Sequence, residues 1–473
     1  MVRHPFLFAA VLLVAGCKVV GPDYHVPKSA AINMDSAQGP FISAARLAKP
    51  EPLPDHWWEL YNDPVLDGLV AQALKANTDL RSAEANLERS MALLDARDAG
   101  REWQGSLNAE TSYAQRSAEA ELQHVQPPRR PIYNGGIGVS YDLDLFGGLR
   151  RGIEAAGADA EAAAAARDLV RVNVAAETTR AYADICNSGF QNDVMERSIA
   201  LQGKGVGLAR LLVRNGRSAP FELDRRQAVL ETSRARVPRL VARQRNALFR
   251  IAALQGLAPT QADPALLNCR HPLRLAQELP VGDGQALLKR RPDIRLAERK
   301  LAASTARIGI ATAALYPDIR FGASAGSTGA ATDFLSPLTN RFGFGPLISW
   351  SLNRHAARAE IEAATAQARG DLANFDGAVI RALREVETAL NSYAAGLEQQ
   401  ESLERARDDA ARVARRTMQL RRGGKISELP ALEADRDLVT AEQAAAEGRA
   451  AINDDQIALF LALGGGWTPI PGQ

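Results

Sequence analysis

Leu212-Val213-Arg214-Asn215-Gly216 and Leu420-Arg421-Arg422-Gly423-Gly424 lie 208 residues apart, and each closes a long run of helix-forming sequence. The same offset matches Arg150 with Arg358, Ile153 with Ile361, Asp168 with Asp376, Glu177 with Glu385, Leu230 with Leu438, Thr232 with Thr440 and Gly256 with Gly464. An offset unchanged over about 100 residues means that nothing was inserted there, as expected of continuous helices rather than loops. Upstream the offset is 214, matching Leu74 with Leu288, Asp79 with Asp293, Ala83-Glu84 with Ala297-Glu298 and Leu87 with Leu301. The change falls between Ala96 and Arg150, which marks that stretch as loop or hairpin. Each half therefore reads as a helix, a variable strand region, a very long helix, a turn and a returning helix.

The long helix is predicted from about Leu149 to Arg214, roughly 65 residues or about 100 Å. Gly216 and Gly424 suit its C-terminal caps. Ser218 and Ser427 suit the N-caps of the returning helices, with Pro220 and Pro430 in their first turns. The returning helices, 220–256 and 428–463, and the opening helices, 66–102 and 287–315, are each about half as long. One long helix thus packs against two shorter ones stacked end to end, and such a rod needs coiled-coil neighbours. The expected division is 1–16 signal peptide, 17–65 lipid-anchored segment, 66–256 first repeat, 257–286 connection, 287–467 second repeat and 468–473 tail.

Composition agrees with long packed helices. Of 473 residues 46% are hydrophobic but only 5% aromatic, and 86 are Ala, the best helix former. The 57 basic and 55 acidic residues leave a net charge of +2, which argues against nucleic acid as a partner. The only long apolar run, Phe6 to Ala15, is shorter than the ~20 residues of a spanning helix. It follows the basic start Met1-Val2-Arg3 and ends Leu13-Val14-Ala15-Gly16-Cys17, small residues before a Cys. This predicts a lipoprotein signal peptide cleaved before Cys17, with Cys17 acylated; the alternative is an ordinary signal peptide and an incidental Cys. Lys18, where an Asp would retain a lipoprotein at the inner membrane, favours the outer membrane. Cys186 and Cys269 make no metal motif. Their spacing favours two unpaired thiols. The helix lengths place Cys186 near the level at which the segment carrying Cys269 departs, so a disulfide stays open.

Two strand pairs interrupt the helices. Ile137, Val139, Tyr141 and Leu143 alternate with Gly138, Ser140, Asp142 and Asp144, and the partner strand is about Ser106 to Arg116. In the second half Ile319, Phe321, Ala323 and Ala325 alternate with smaller or polar residues. Phe342, Phe344, Pro346, Ile348, Trp350 and Leu352 follow in the same way, against Gly343, Ser349 and Ser351. Period two over about ten residues with terminal aromatics suits an outer-membrane strand. Four strands leave two open edges, which lipid does not tolerate, so closure requires further copies. Two copies give eight strands and a filled interior; three give twelve and room for a lumen, which the polar positions would line.

No enzyme chemistry is legible. The six His are scattered without ligand spacing, Gly203-Lys204-Gly205-Val206-Gly207 lacks the spacing of a phosphate loop, and no nucleophile has an identifiable base. The expectation is a non-enzyme with no cofactor and no metal.

Cys17…Gly21-Pro22-Asp23-Tyr24, Tyr141-Asp142-Leu143-Asp144-Leu145-Phe146-Gly147, Arg291-Pro292-Asp293-Ile294 and Leu463-Gly464-Gly465-Gly466-Trp467 together resemble the TolC-like outer-membrane factors, in particular NodT-type efflux lipoproteins. The resemblance covers residues 17–467. It implies a mainly α fold with a small β part. The protein is then a homotrimer with a twelve-stranded barrel in outer-membrane lipid and a helical periplasmic tunnel, a passive duct served by a periplasmic adaptor and an inner-membrane pump. Small-molecule efflux is the expected cargo class; a type I protein-secretion duct and a non-channel coiled-coil lipoprotein are the alternatives. The resemblance also implies a periplasmic gate at Leu429, which excludes water, and Glu433, which forms an acidic ring. Glu222, at the matching place in the first turn, would lock the gate by pairing with Arg421, Arg422 or Lys425. The chain departs from some relatives in carrying Pro430 instead of a second acid, and Ile426 instead of an Arg.

Overall fold

The computed structural model describes residues 19–43, 53–119, 124–276 and 279–465. Among the described residues nine principal helices, five in the first half and four in the second, and four strands build the same plan twice. The opening helices are α1 (Pro64–Ala76) and α2 (Thr78–Asp98), followed by β1 (Gln104–Ala114) and β2 (Arg130–Asp142). The long helix α3 (Gly148–Arg214) returns through α4 (Pro220–Arg234) and α5 (Val237–Leu254). The second half repeats this with α6 (Gly284–Arg290), α7 (Pro292–Ala313), β3 (Asp318–Ala330), β4 (Asn340–Ser349), α8 (Arg354–Arg422) and α9 (Glu428–Ala462). The long helices have 67 and 69 residues.

The duplication is visible in the backbone. Gly216 and Gly424 both take left-handed φ, 66° and 67°. In both turns a 6→1 hydrogen bond closes the helix, from Arg217 N to Leu212 O and from Lys425 N to Leu420 O. The breaks in the expected helices have local causes. The opening helices are each two helices, not one. Asn77 Oδ1 accepts from Leu80 N at 3.0 Å, starting α2 afresh. Pro292 holds Arg291 extended between α6 and α7. The first returning helix breaks at Ala235–Arg236, beside Pro238, which has no N–H for a helical bond. Its second-half counterpart α9 is continuous. Ser427 is the N-cap of α9, but Ala219 rather than Ser218 occupies that position before α4.

Contacts group the chain into two compact units, each drawing on both halves. The first comprises residues 1–27, 86–163 and 296–375. It holds an antiparallel sheet in the order β1-β2-β3-β4, so β1 and β4 each keep an unpaired edge among the described residues. Within this unit Ala158 of α3 packs against Ala302 and Ala303 of α7, side chains small enough to let the two helices approach.

The second unit comprises residues 28–85, 164–295 and 376–473 and contains the main apolar core. Trp57 and Phe460 stack there with ring centroids 4.4 Å apart, and the Tyr61 hydroxyl donates to Gln456 Oε1 at 3.2 Å. The two cysteines are joined, which corrects the expectation of free thiols: Cys186 on α3 is bonded to Cys269, with Cα atoms 4.7 Å apart. Gly189, one turn along α3, makes room for this staple, because a Cβ there would lie 2.3 Å from the Cys269 carbonyl oxygen.

Candidate functional site: a strand wall and a helical tip

The sheet has two unlike faces. Its register aligns Leu107, Ile137, Ala325 and Phe342 in one row and Gly105, Val139, Ala323 and Phe344 in the next. The opposite face carries Ser106, Gly138, Ser324 and Gly343, flanked by Asn108, Gly136, Gly326 and Arg341. Among the described residues nothing covers the apolar rows: Phe342 is 85% exposed, Leu107 79% and Phe344 78%. Leaving such residues in water forgoes about 1.5–3 kcal/mol each, so this face belongs against an apolar medium.

At the helix end of the sheet the same face runs into aromatic rings. Trp103 lies 5.2 Å from Tyr141, and Phe146 stacks on Tyr316 at 4.6 Å. Trp350 and Leu143 were expected inside strands, but β4 stops at Ser349 and β2 at Asp142. Trp350 instead donates its indole N–H to Leu315 O at 3.1 Å, and Leu143 N donates to Ile319 O.

The acids of Tyr141-Asp142-Leu143-Asp144 have different tasks. Asp142 stays on the polar face, 3.7 Å from Arg320, which also pairs with Asp318 at 2.9 Å. Asp144 was expected to line the wall. It has a φ of 40° and caps α3, accepting from Leu149 N at 2.8 Å and Arg150 N at 2.9 Å. The carboxylate thereby meets the positive end of the helix dipole, and the chain turns from strand to helix within a few residues.

The segment that follows Cys17 is fastened at this junction. Val20 N donates to Phe146 O, and Gly147, with φ of 79°, lies so close to Val19 that a Cβ would come within 2.4 Å of it. The side chain of Arg151 is nearly buried there and bonds Asp23 and Glu154 at 2.7 Å each, besides the carbonyls of Val20 and Gly21. Sequence reading missed Arg151; the acids in reach of it, Asp23 and Glu154, are far apart in the chain. Cys17 itself lies outside the described residues.

The helical tip belongs to the second unit. Leu429 is half-buried and Glu433 exposed, one turn apart on α9. Glu222 does not reach Arg421, Arg422 or Lys425 within this chain: it lies 3.5 Å from Arg225, while Arg421 contacts Glu428. These i,i+3 and within-hairpin partners are nearer along the chain than the expected ones. Two ion pairs do join the hairpins: Arg226 of α4 with Glu433 of α9 at 3.7 Å, and, further from the turns, Arg197 of α3 with Glu442 of α9 at 3.1 Å. Gln202 of α3 adds a bridge within the first hairpin, donating to Ser198 and Ser233 hydroxyls. The cavity beside these residues holds only about 60 Å³, room for water and not for a substrate.

Among the described residues no group of three His, Cys, Asp or Glu could hold a metal ion, and no helix is long and apolar enough to cross a membrane. The named sequence motifs turn out to be joints. Arg291 of Arg-Pro-Asp bonds Asp293 twice, Glu385 at 2.9 Å and the Ala462 carbonyl at 2.8 Å. It thereby ties the start of α7 to α8 and the end of α9, where Gly464 has a φ of 85°.

Comparison with known proteins gives one answer. The family model of outer membrane efflux proteins matches residues 69–257 and 284–465. The chain is 28% identical to a probable efflux pump outer membrane protein, TtgC, of Pseudomonas putida, over 99% of this chain and 96% of that one. It is 25% identical to the probable outer membrane lipoprotein SilC of Salmonella typhimurium, over 97% and 98%. The solved structure of the outer-membrane channel OprN superposes with a TM-score of 0.85 at 31% identity, covering 95% of this chain and all of that one.

Proposed function

The chain belongs to the outer membrane efflux protein family, whose members are channels and not enzymes, and on that premise we propose that three copies form a passive duct through which an inner-membrane pump expels small toxic molecules. The observation that carries this is the sheet, with an uncovered apolar face, a polar face of Ser, Gly and Asn, and two unpaired edges. Pairing β4 of each copy with β1 of the next removes every edge and gives twelve strands. The apolar rows then meet lipid and the polar rows a water-filled lumen. The strands have 10 to 13 residues, enough to cross the hydrocarbon when tilted.

The aromatic cluster at the helix end suits the inner interface of the bilayer, where amphipathic rings collect. Val19 and Val20 are pinned beside it, so an acylated Cys17 would place its chains in the same leaflet. This supports lipid anchoring as a supplement to the barrel, which spans the membrane by itself. A periplasmic adaptor completes the path from the pump. The two turns form the gate at the periplasmic end. Leu429 narrows it and Glu433 supplies one acid per copy, which Arg226 pairs in the resting state. Arg421, Arg422 and Lys425 surround the second turn with positive charge.

The test is the mass and conductance of the detergent-extracted protein. A trimer that conducts in planar bilayers, and more strongly in the Arg226→Ala variant, is expected. A monomer, or a trimer with no conductance at any voltage, would refute the duct.

A further inference from the structure

One cation on the polar face of the sheet is held in an unusual posture. Arg341, the second residue of β4, lies opposite Gly326 of β3, and its side chain lies across the sheet instead of standing off it. Its Nε donates to Thr328 Oγ1 at 3.2 Å and a terminal nitrogen to Asn134 Oδ1 at 3.0 Å, two strands away on β2. The Thr328 hydroxyl donates to the same Asn134 oxygen at 2.9 Å, which fixes both acceptors. Glycines make the bed. A Cβ at Gly136 or Gly326 would stand 3.2 Å from the guanidinium nitrogen. Both partners are neutral, and no carboxylate of the described residues lies within ion-pair distance of Arg341. The guanidinium keeps its full charge and the rest of its five N–H donors.

The surroundings add to this. Arg341, Asn134 and Thr328 line a cavity of about 420 Å³ on the polar face, together with Arg116 and Glu110. Arg130, opposite Ala114, stands on the same face four residues beyond Asn134, toward the hairpins. Among strand residues of this half, Arg130 and Arg341 face the single acid Glu110. The helix half has the reverse balance, with Asp142 and Asp318 around Arg320.

We propose that the Arg341 guanidinium, laid on Gly136 and Gly326 and held by Asn134 and Thr328, is an anion-binding site of the outer mouth. Three copies form a girdle that recognises polyvalent anions of the oligophosphate class. The inference rests on the trimeric duct proposed above. Closure of the barrel brings three such sites to one level of the lumen, where each Arg offers paired donors to phosphoryl oxygens. Small-residue beds keep the girdle wide, so it selects by charge and not by exclusion.

The experiment uses inorganic triphosphate on the purified full-length trimer. In planar bilayers, triphosphate added on the hairpin side should block current, and Arg341→Gln should weaken the block by about tenfold or more. Arg341→Lys should retain most of the ion preference, seen as the reversal potential in a KCl gradient, yet lose most of the block. Equilibrium dialysis of labelled triphosphate against the detergent-solubilised trimer reads the site without conduction. Binding that Arg341→Gln abolishes, in a trimer that does not conduct, would uphold the site and sink the duct. Equal binding and block in the wild type and Arg341→Gln would overturn the proposal. So would Arg341→Lys behaving as wild type in both assays, since a diffuse field and not a site would then act.

Discussion

The two halves of the chain share a backbone plan and differ in how each is held. In the second half the return helix α9 is continuous, and its end is packed through Phe460 on Trp57. The first half has Ala252 at the equivalent place, 208 residues earlier, and its return helix is broken beside Pro238. What the first half lacks in aromatic packing it makes up with the Cys186–Cys269 disulfide; the second has Ala394 where Cys186 stands. Glycine φ angles at the turns agree to within a degree while the side chains around them have diverged. Duplication preserved the path, and each copy found its own fastening.

The largest expected effect comes from removing the aromatic fastening. Phe460→Ala makes the second half resemble the first at that position, empties the ring stacked on Trp57 and should cost about 3–5 kcal/mol, read as a fall in denaturation midpoint. An unchanged midpoint would mean that the two halves do not depend on different cores. Next comes the covalent fastening. Replacing both Cys186 and Cys269 by Ala, or reducing them, should cost about 2–4 kcal/mol, through the loop of 83 residues they close. Proteolysis should then begin in the connection around Cys269 and not in the second half; simultaneous cleavage of both would erase the distinction.

A smaller effect is expected at the tip. Arg226 pairs with Glu433 across the hairpins, and its counterpart in the second half is Ala434. Arg226→Ala should change stability by only about 0–1 kcal/mol, since the contact is long and the Glu433 carboxylate is half exposed to water. Its signature is raised resting conductance, which Glu222→Ala should not reproduce, as Glu222 pairs within its own helix. Equal conductance in the two variants would return the lock to the first turn.

The smallest is a matter of pH. Asp454 has its carboxyl pKa raised, by burial first and then by Asp184, despite the nearby Arg243, Arg180 and Arg250. The first half carries Asn246 at that position. A raised folded-state pKa means that the ionised form weakens the fold. The penalty is complete above the folded pKa and vanishes below the unfolded value. Asp454→Asn should therefore raise the melting temperature slightly at neutral pH and leave it unchanged near pH 3. A gain that persists in acid would show that charge is not its cause.

The long helices were legible because Ala-rich runs end on glycines, and the strands because apolar and small residues alternate. The joints were less so. Asn77, Pro238 and Pro292 each interrupt a predicted helix, yet the periodicity continues across them, so apolar spacing alone does not reveal the breaks. Asp144 continued the alternation of β2 but serves the helix that follows. The disulfide depended on a lateral distance that helix lengths do not contain. Gly189 was the available signal, a glycine inside a helix three residues from a Cys. Arg341 was passed over because the strand was read from Phe342, two residues after it begins. The gate residues came from resemblance to relatives. Geometry then redirected their pairing, because Arg225 and Glu428 are nearer along the chain than the partners proposed across it.

The open strand edges have a genetic consequence. In the proposed duct, a wall completed by three copies is only as sound as its worst member. Suppose a cell makes equal amounts of wild-type chain and a variant that folds but cannot close its β4 edge. Random assembly would then leave about one in eight trimers free of the variant. Mutations at the edge should therefore be dominant over the normal allele. Mutations that prevent folding altogether should be recessive, because an unfolded chain never takes a seat in the ring.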